Sequence, residues 1–411
     1  MKNYKYVIIG GGTTAGYAAA EFAEQGIDKG DLCIVSAESI LPMNRPPLSK
    51  EYLKDKSQDD ELLINDKEFY EQHGIDVLTE TCAKNVKFAE KIIELDNGET
   101  LQYEKLLIAT GSKLIHPDIS NENLENIFYL RNVKHSDKIR EKAKEAKTAV
   151  VLGGGYIGTE TAAALTELGV KVTMIVPEDK LLSKFASEDI AIFFKEKFAD
   201  KGVDVLFGEE ASGFYGNEKV EEVELKSGKR LKTDMVIIGV GVEPNVELFT
   251  DSNLIIDTGI VVNEFCETNI PDVYAAGDVV EFPDTIFNKI RHVEHWENAF
   301  EQGKHAAKVM TGTIEPYIFL PFFFSDVFDV SYEYFGDNES ATDIINRGDL
   351  KKGDFSTWWI NDNRVVAAFI MSTRPKEDGE KAGEWIRNKT KIDKDKIGDE
   401  NKPLKELELN P

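Results

Sequence analysis

The sequence predicts an α/β protein made of two copies of one strand–helix–strand unit, followed by a smaller α+β domain. Three observations carry this. Residues 4–16 (YKYVIIGGGTTAG) and 147–158 (KTAVVLGGGYIG) are two versions of one phrase, a β-rich apolar run ending in a cluster of glycines. The residues after one version keep in step with those after the other. After Gly312 the pattern changes to alternating aromatic residues that suit antiparallel strands. Strand–helix alternation gives parallel sheets with helices on both faces, and internal repetition is read before any single motif.

The elements come in order. Ala18 to Ala23 and Ala162 to Leu165 are alanine-rich and read as helix in the two copies. A second β-like run comes next, Leu32 to Val35 in the first and Val172 to Val176 in the second. Matching phrases GIDVL (Gly74–Leu78) and GVDVL (Gly202–Leu206) come after that. Asn97-Gly98 and Ser227-Gly228 are hairpin signals. Each copy closes on a buried-looking strand and a small-residue turn, Leu106–Gly111 (LLIATG) and Val236–Gly241 (VIIGVG). Beyond them, Phe328, Val330, Tyr332 and Tyr334 alternate as a strand. Trp358 to Ile360, Asn361-Asp362-Asn363 and Arg364 to Met371 form a hairpin, with one helix expected around Glu380–Arg387. The tail from Ile392 to Pro411 is polar and is expected to pack loosely. The domain boundaries implied are 1–114 with 246–316, then 115–245, then 317–411.

Composition narrows the function. The chain has 411 residues, 41% of them hydrophobic, which is enough for real cores and excludes disorder as the default. Its formal charge of −26 opposes nucleic acid and anionic membranes over most of the surface. Cys33, Cys82 and Cys266 stand far apart, so neither a dithiol redox centre nor a zinc knuckle is written here, and no metal site is expected. Met1 leads almost directly into a strand, with no signal-peptide layout, and no apolar run reaches the roughly 18 residues of a membrane span. A cytoplasmic protein is expected.

The glycine loops carry the chemistry. The first is Gly10-x-Gly12-x-x-Ala15, the second Gly153-x-Gly155-x-x-Gly158 with Tyr156 and Ile157 between its last two glycines. The first glycine permits the tight turn, the second lets the backbone approach a pyrophosphate, and the third small residue lets helix and strand pack closely. Phosphate then sits on the free N–H groups of a helix N-terminus. One such loop is weak evidence; two, each between a strand and a helix, imply two dinucleotide sites of Rossmann type. An acid is expected downstream to bond a ribose hydroxyl: Glu38 in the first copy, and Glu178 or its neighbour Asp179 in the second. A carboxylate there repels a 2′-phosphate, and Lys180 is the nearest cation, so NADH is expected over NADPH.

At these residues the chain resembles the FAD-dependent pyridine nucleotide oxidoreductases of the ferredoxin reductase, apoptosis-inducing factor and monodehydroascorbate reductase group. LPMNRPPLSKEYL (Leu41–Leu53), AAGDV (Ala275–Val279), HVEHWENAFEQG (His292–Gly303) and PFFFSD (Pro321–Asp326) carry the resemblance. RPPLSK stands where the dithiol members place CxxxxC, so the resemblance implies electron relay without a disulfide. It also implies that the first copy and 246–316 hold FAD and the second copy NAD.

For FAD the implied residues are Gly10, Gly12, Ala15, Glu38, Arg45, Lys50, Ala109, Thr110, Gly111, Arg131, Gly277, Asp278, Glu294, His295, Trp296 and Phe324; Asp278 would accept from a ribityl hydroxyl. For NAD they are Gly153, Gly155, Tyr156, Ile157, Gly158, Glu178 and Gly241. Lys50 would reach the flavin N5 region and pair with Glu160, both in a catalytic role, since a cation beside the ring stabilises the reduced anionic flavin. The plant monodehydroascorbate reductases are thought to meet the ascorbyl radical with an arginine and a tyrosine; Phe300 and Phe324 stand at those places here.

The activity expected is hydride transfer from NADH to flavin, then single electrons to a ferredoxin- or rubredoxin-type carrier or a monodehydroascorbate-like radical. The alternative from another class is an NADH-responsive redox switch with slow turnover. A homodimer is compatible with either.

Overall fold

The computed structural model describes residues 1–55 and 58–409. It contains two compact units. The first is Met1–Pro46, Gln58–Lys113 and Val242–Phe319; the second is Pro47–Ser57, Leu114–Gly241 and Leu320–Pro411. The short segment after Pro46 thus packs with the second unit although its flanks belong to the first.

In the first unit the strands Asp76–Leu78, Leu32–Val35, Lys2–Ile9 and Thr100–Ile108 lie side by side in that order, all parallel, and Val273–Ala275 adds a fifth parallel strand beyond Thr100–Ile108. Period-2 alternation sends side chains to both faces of the sheet. Val7 and Ile9 join one core with Val35, Leu106 and Ile108. Tyr6 and Ile8 join the other, with Ala15, Ala18 and Phe22 of helix Thr13–Glu24 and Ala306, Ala307 and Met310 of helix Trp296–Thr311. A strand buried on both faces must read as a continuous apolar run, and YVII and LLI do.

The second unit repeats the design. Asp204–Phe207, Lys171–Val176, Thr148–Leu152, Met235–Ile238 and Ile127–Tyr129 form a parallel sheet in that order. In each unit the fifth strand comes from outside the repeated segment, which is why the repeat alone does not announce it. The hairpins expected at Asn97-Gly98 and Ser227-Gly228 are present, with both glycines at φ +84°.

The C-terminal strands build a separate antiparallel sheet, in the order Phe322–Val327, Val330–Gly336, Arg364–Met371, Asp354–Asn361, Asp343–Asp349. The Asp362-Asn363 turn has both residues at positive φ (48° and 59°), the conformation a two-residue hairpin demands. Helix Lys376–Asn388 covers the sheet through Trp385, whose ring centroid is 5.7 Å from that of Trp358.

Two expectations are corrected here. Phe328 is not in a strand: it sits at φ +56° in the turn between Val327 and Val330, so of the expected alternation only Val330, Tyr332 and Tyr334 share a strand, Val330–Gly336. The tail is packed as far as Leu407, and the Leu409 N–H still donates to the Lys391 carbonyl at 2.9 Å. Ile392, Ile397, Leu404 and Leu407 are buried, and the Arg347 guanidinium donates to the carbonyls of Ile397, Asp399 and Lys402 at 2.7–3.0 Å. Three carbonyls on one buried cation order a segment whose composition alone looks solvated. Asn410 and Pro411 lie outside the described residues.

Candidate active site

The first glycine loop is shaped by close backbone approach. A Cβ at Gly10, whose φ is +133°, would lie 2.0 Å from the Ala109 carbonyl oxygen, and the Gly10 N–H donates to Val35 O at 2.9 Å. The loop is thereby fixed between two neighbouring strands. Gly12 is the N-cap of helix Thr13–Glu24, and no side chain caps it. A Cβ at Gly12 would first meet the Arg45 guanidinium, at 3.6 Å. Arg45 in turn donates to Glu38 at 2.8 Å. Helix amides, one arginine and one carboxylate therefore converge on an uncapped helix start, a donor set that fits the diphosphate and ribose of a dinucleotide. Ala15 is fully buried in the helix–sheet contact.

Further residues of the first unit complete the set. Gly277, at φ +84°, leaves no room for a Cβ beside the Thr14 hydroxyl (2.3 Å), and its N–H donates to Gln302 at 2.8 Å. Asp278 accepts from Ser112 at 2.8 Å, which fixes one carboxylate oxygen. Ala109 donates its N–H to Ile9 O at 2.8 Å, Thr110 bonds Asn245 O at 2.8 Å, and Gly111 comes next at φ +67°. His295 is the N-cap of helix Trp296–Thr311, and the Trp296 indole donates to Asn44 at 2.8 Å. Glu294 bonds His292 at 3.2 Å, whose other ring nitrogen meets Val280 O at 3.0 Å. Burial works against a charge on His292, but Glu294 and that carbonyl outweigh it and hold the imidazole above its ordinary value.

The second loop uses the same geometry with a different outcome. Gly153 sits at φ +107°, its would-be Cβ 2.3 Å from Gly239 O, and a Cβ at Gly158 would lie 2.1 Å from Gly153 O. Around Gly155, the helix N-cap, nothing lies within 4 Å of the place a Cβ would take. That open space is the cradle a Cβ would fill and a pyrophosphate needs. Ile157 (38% exposed) and Val240 (40%) offer apolar surface beside Gly158 and Gly241. Tyr156 instead turns to Phe323, ring centroids 4.8 Å apart, and burial pushes its phenol well up. Glu178 is exposed beyond strand Lys171–Val176, and Lys180 donates to the Ala186 carbonyl at 2.9 Å.

Lys50 and Glu160 come together within the second unit, as the motifs lead one to expect. Lys50 Nζ is 3.4 Å from Glu160 Oε1 and 3.2 Å from Asp326 Oδ2. The buried Glu160 also accepts from Ser49 (2.5 Å) and Ser325 (2.6 Å). Phe324 is 39% exposed, its ring centroid 5.1 Å from Lys50 Nζ. Arg131 lies in the same unit, between strand Ile127–Tyr129 and helix Val133–Ala143. Sequence reasoning did not single out Ser49, Ser325, Asp326, Ser112 or Asn44. Asn44, Ser49, Ser325 and Asp326 fall inside quoted motifs, but a lone amide, hydroxyl or carboxylate there has no signal until its distant partner is known.

Residues 4–303 match the family described as pyridine nucleotide-disulphide oxidoreductase. The chain belongs to that family. Residues 320–401 match a C-terminal domain described as monodehydroascorbate reductase 3-like. The chain is 39% identical to a monodehydroascorbate reductase of Pisum sativum over 404 residues, 92% of this chain and 93% of that one. It is 37% identical to that of Solanum lycopersicum over the same shares. Among solved structures it is similar to the covalent putidaredoxin reductase–putidaredoxin complex (TM-score 0.93, 29% identity, 98% of this chain and 97% of that one). It is also similar to NADH:rubredoxin oxidoreductase from Clostridium acetobutylicum (TM-score 0.77, 26% identity, 95% and 97%). The protein is an FAD-containing, NAD(P)H-dependent electron-transfer oxidoreductase. The family's description includes a disulphide; here Cys33 and Cys266 are buried single thiols and Cys82 is exposed, all three unpaired.

Proposed function

We propose that the protein oxidises NADH and passes electrons singly to a small electron-carrier protein. When bound, FAD supplies the chemistry: hydride uptake from the nicotinamide and release of electrons one at a time. The chain's residues supply position and charge. Gly10, Gly12, Ala15, Glu38 and Arg45 hold the adenosine diphosphate end of FAD. Ala109, Thr110, Gly111, Gly277, Asp278, Glu294, His295 and Trp296 hold the remainder, with Arg131 and Phe324. Gly153, Gly155, Ile157, Gly158, Glu178 and Gly241 hold NADH, and Tyr156, whose ring turns to Phe323, offers its backbone N–H at the helix start. Lys50, fixed by Glu160, presents its ammonium to the flavin N5 region. The domain division 1–114 with 246–316, 115–245 and 317–411 belongs to the same reading, as does a cytoplasmic setting. Among the described residues no helix is long and apolar enough to cross a membrane.

The observation that carries the carrier-protein reading is the exposed Phe324 ring over Lys50. An apolar contact point without a hydroxyl or guanidinium suits docking of a protein surface better than recognition of a small polar radical. Phe300, the other aromatic at a radical-contact position, is packed against Tyr17 and Trp296 at 4.4 and 5.5 Å. NADH is favoured because Glu178 is exposed where a ribose would lie and Lys180 is engaged by a carbonyl. Reduction of monodehydroascorbate is the second reading, favoured by the relatives at 39% and 37% identity. All of these relatives and neighbours are described as reductases or oxidoreductases, which does not favour the redox switch. Stopped-flow bleaching of the flavin by NADH and by NADPH, followed by mixing with ferredoxin, rubredoxin or monodehydroascorbate radical, tests each part. Rapid reoxidation by a carrier protein supports the first reading; rapid reoxidation by the radical alone replaces it with the second.

A further inference from the structure

The Lys50–Glu160 pair has a third member. Glu160 is satisfied by two hydroxyls, Ser49 and Ser325, before the lysine is counted. Lys50 lies slightly nearer to Asp326 (3.2 Å) than to Glu160 (3.4 Å). Asp326 is itself held: its other oxygen accepts from Ser331 at 2.5 Å, and Ser331 is its cross-strand partner in the hairpin. Along strand Phe322–Val327, Phe324 and Asp326 share the exposed face and Ser325 the buried one. The strand therefore grips the lysine with a ring and a carboxylate from one face while bonding Glu160 from the other. One ammonium between two carboxylates leaves the cluster at one net negative charge. Lys50 is mostly buried, at 11% side-chain exposure, so the charge acts where water screens it incompletely.

We propose that Asp326 is a positioning residue for Lys50, drawing its ammonium partly away from Glu160 and lowering the reduction midpoint of the bound flavin. This rests on the reading that Lys50 serves the flavin N5 region. A flavin near a neutral Lys–Glu pair gains electrons more readily than one near a cluster of net charge −1, because reduction adds negative charge. Asp326 thus biases the protein toward giving electrons up, which matters for an acceptor of low potential. Asp326 is 47% exposed on its side chain, so added salt weakens the effect.

The test is the flavin midpoint measured against a reference dye in Asp326→Asn, Ser331→Ala and Lys50→Met, at low and high salt. Asp326→Asn raises the equilibrium constant for two-electron reduction at least threefold, about 14 mV for such a couple. Ser331→Ala moves it the same way by less, and the Asp326→Asn shift shrinks in high salt. Lys50→Met moves it the opposite way. If Lys50→Met lowers the midpoint and Asp326→Asn leaves it unchanged, Asp326 is an ordinary surface ion pair and the proposal is overturned while the reading of Lys50 stands. If neither variant moves the midpoint, the reading of Lys50 fails and the proposal falls with it.

Discussion

Two glycines three residues apart in the second loop should fail in opposite ways when given one methyl group. A Cβ at Gly155 meets nothing within 4 Å, and its φ of −83° suits alanine. The fold therefore loses only the small preference of glycine over alanine at an N-cap, about 0.5 kcal/mol, or roughly 1–2 °C in Tm. The methyl does occupy the space a pyrophosphate must enter. Losing one charge-assisted hydrogen bond there costs about 1.5–3 kcal/mol, which is roughly a 10- to 100-fold rise in the Kd for NADH. Gly158 differs: its Cβ would lie 2.1 Å from the Gly153 carbonyl oxygen, a backbone atom that cannot turn aside. Gly158→Ala must push helix Tyr156–Glu167 off its strand, at about 1–3 kcal/mol and roughly 2–10 °C in Tm, and disturbs NADH binding as a consequence. Calorimetry and stopped-flow titration of flavin bleaching separate the two signatures. Normal NADH saturation in Gly155→Ala, or equal loss of stability in both variants, would refute the assignment of this loop to the nicotinamide cofactor.

Other expectations come from individual contacts. Arg45→Met removes the cation over Gly12 and should weaken FAD retention about tenfold or more, read as flavin lost on gel filtration. Glu160→Gln leaves Lys50 with Asp326 alone and strands a buried hydroxyl partner; stability falls by about 1–3 kcal/mol and flavin bleaching by NADH slows. Burial pushes the Cys33 thiol up to about 12, and raises Cys266 and Cys82 too. Native alkylation should add slowly at the exposed Cys82, and a Cys33→Ala/Cys266→Ala protein should keep turnover within about twofold if no dithiol relay operates. His292 titrates above its ordinary value in the fold. Its protonated contacts with Glu294 and Val280 therefore stabilise the protein below the unfolded pKa and are lost as pH rises through the folded one. The Tm difference between wild type and His292→Gln should be larger near about pH 6 than near about pH 8, and a constant difference would count against that pairing.

How much of this was readable depended on the distance over which each feature is determined. The glycine loops, the Asn97-Gly98 hairpin and the Asp362-Asn363 turn are set by adjacent residues, and the sequence announces them. The parallel strands show as apolar runs because both faces are buried. Strand Ile127–Tyr129 has three residues and no repeat partner, so nothing marked it. The packing of the tail was hidden because its anchors, Ile392, Ile397, Leu404 and Leu407, are spread among charged residues and its organiser, Arg347, lies some fifty residues upstream. The Lys50 cluster joins residues 49, 50, 160, 325 and 326. Motif resemblance gave the Lys–Glu pair; the two serines and Asp326 needed three dimensions.

On the proposed assignment, the duplicated loops let one piece of geometry serve two kinds of ligand. Both place an uncapped helix start after a buried strand, with a glycine whose missing Cβ leaves an approach to the backbone. At the first, Arg45 lies over that glycine and is tied to Glu38. At the second the space is open, the downstream acid is exposed, and the nearest lysine is turned to a carbonyl. A fixed guanidinium adds charge-assisted hydrogen bonds that act chiefly on the rate of leaving, which suits a group that must stay through many turnovers. Helix amides alone bind an anion that can go again, which a hydride donor must do once in every cycle. The division into a resident flavin and an exchanging nicotinamide therefore needs no difference in fold between the two copies. On the proposed assignment it arises from Arg45, which lies over Gly12 of the first loop, and from the open space at Gly155 in the second, the two features that Arg45→Met and Gly155→Ala remove.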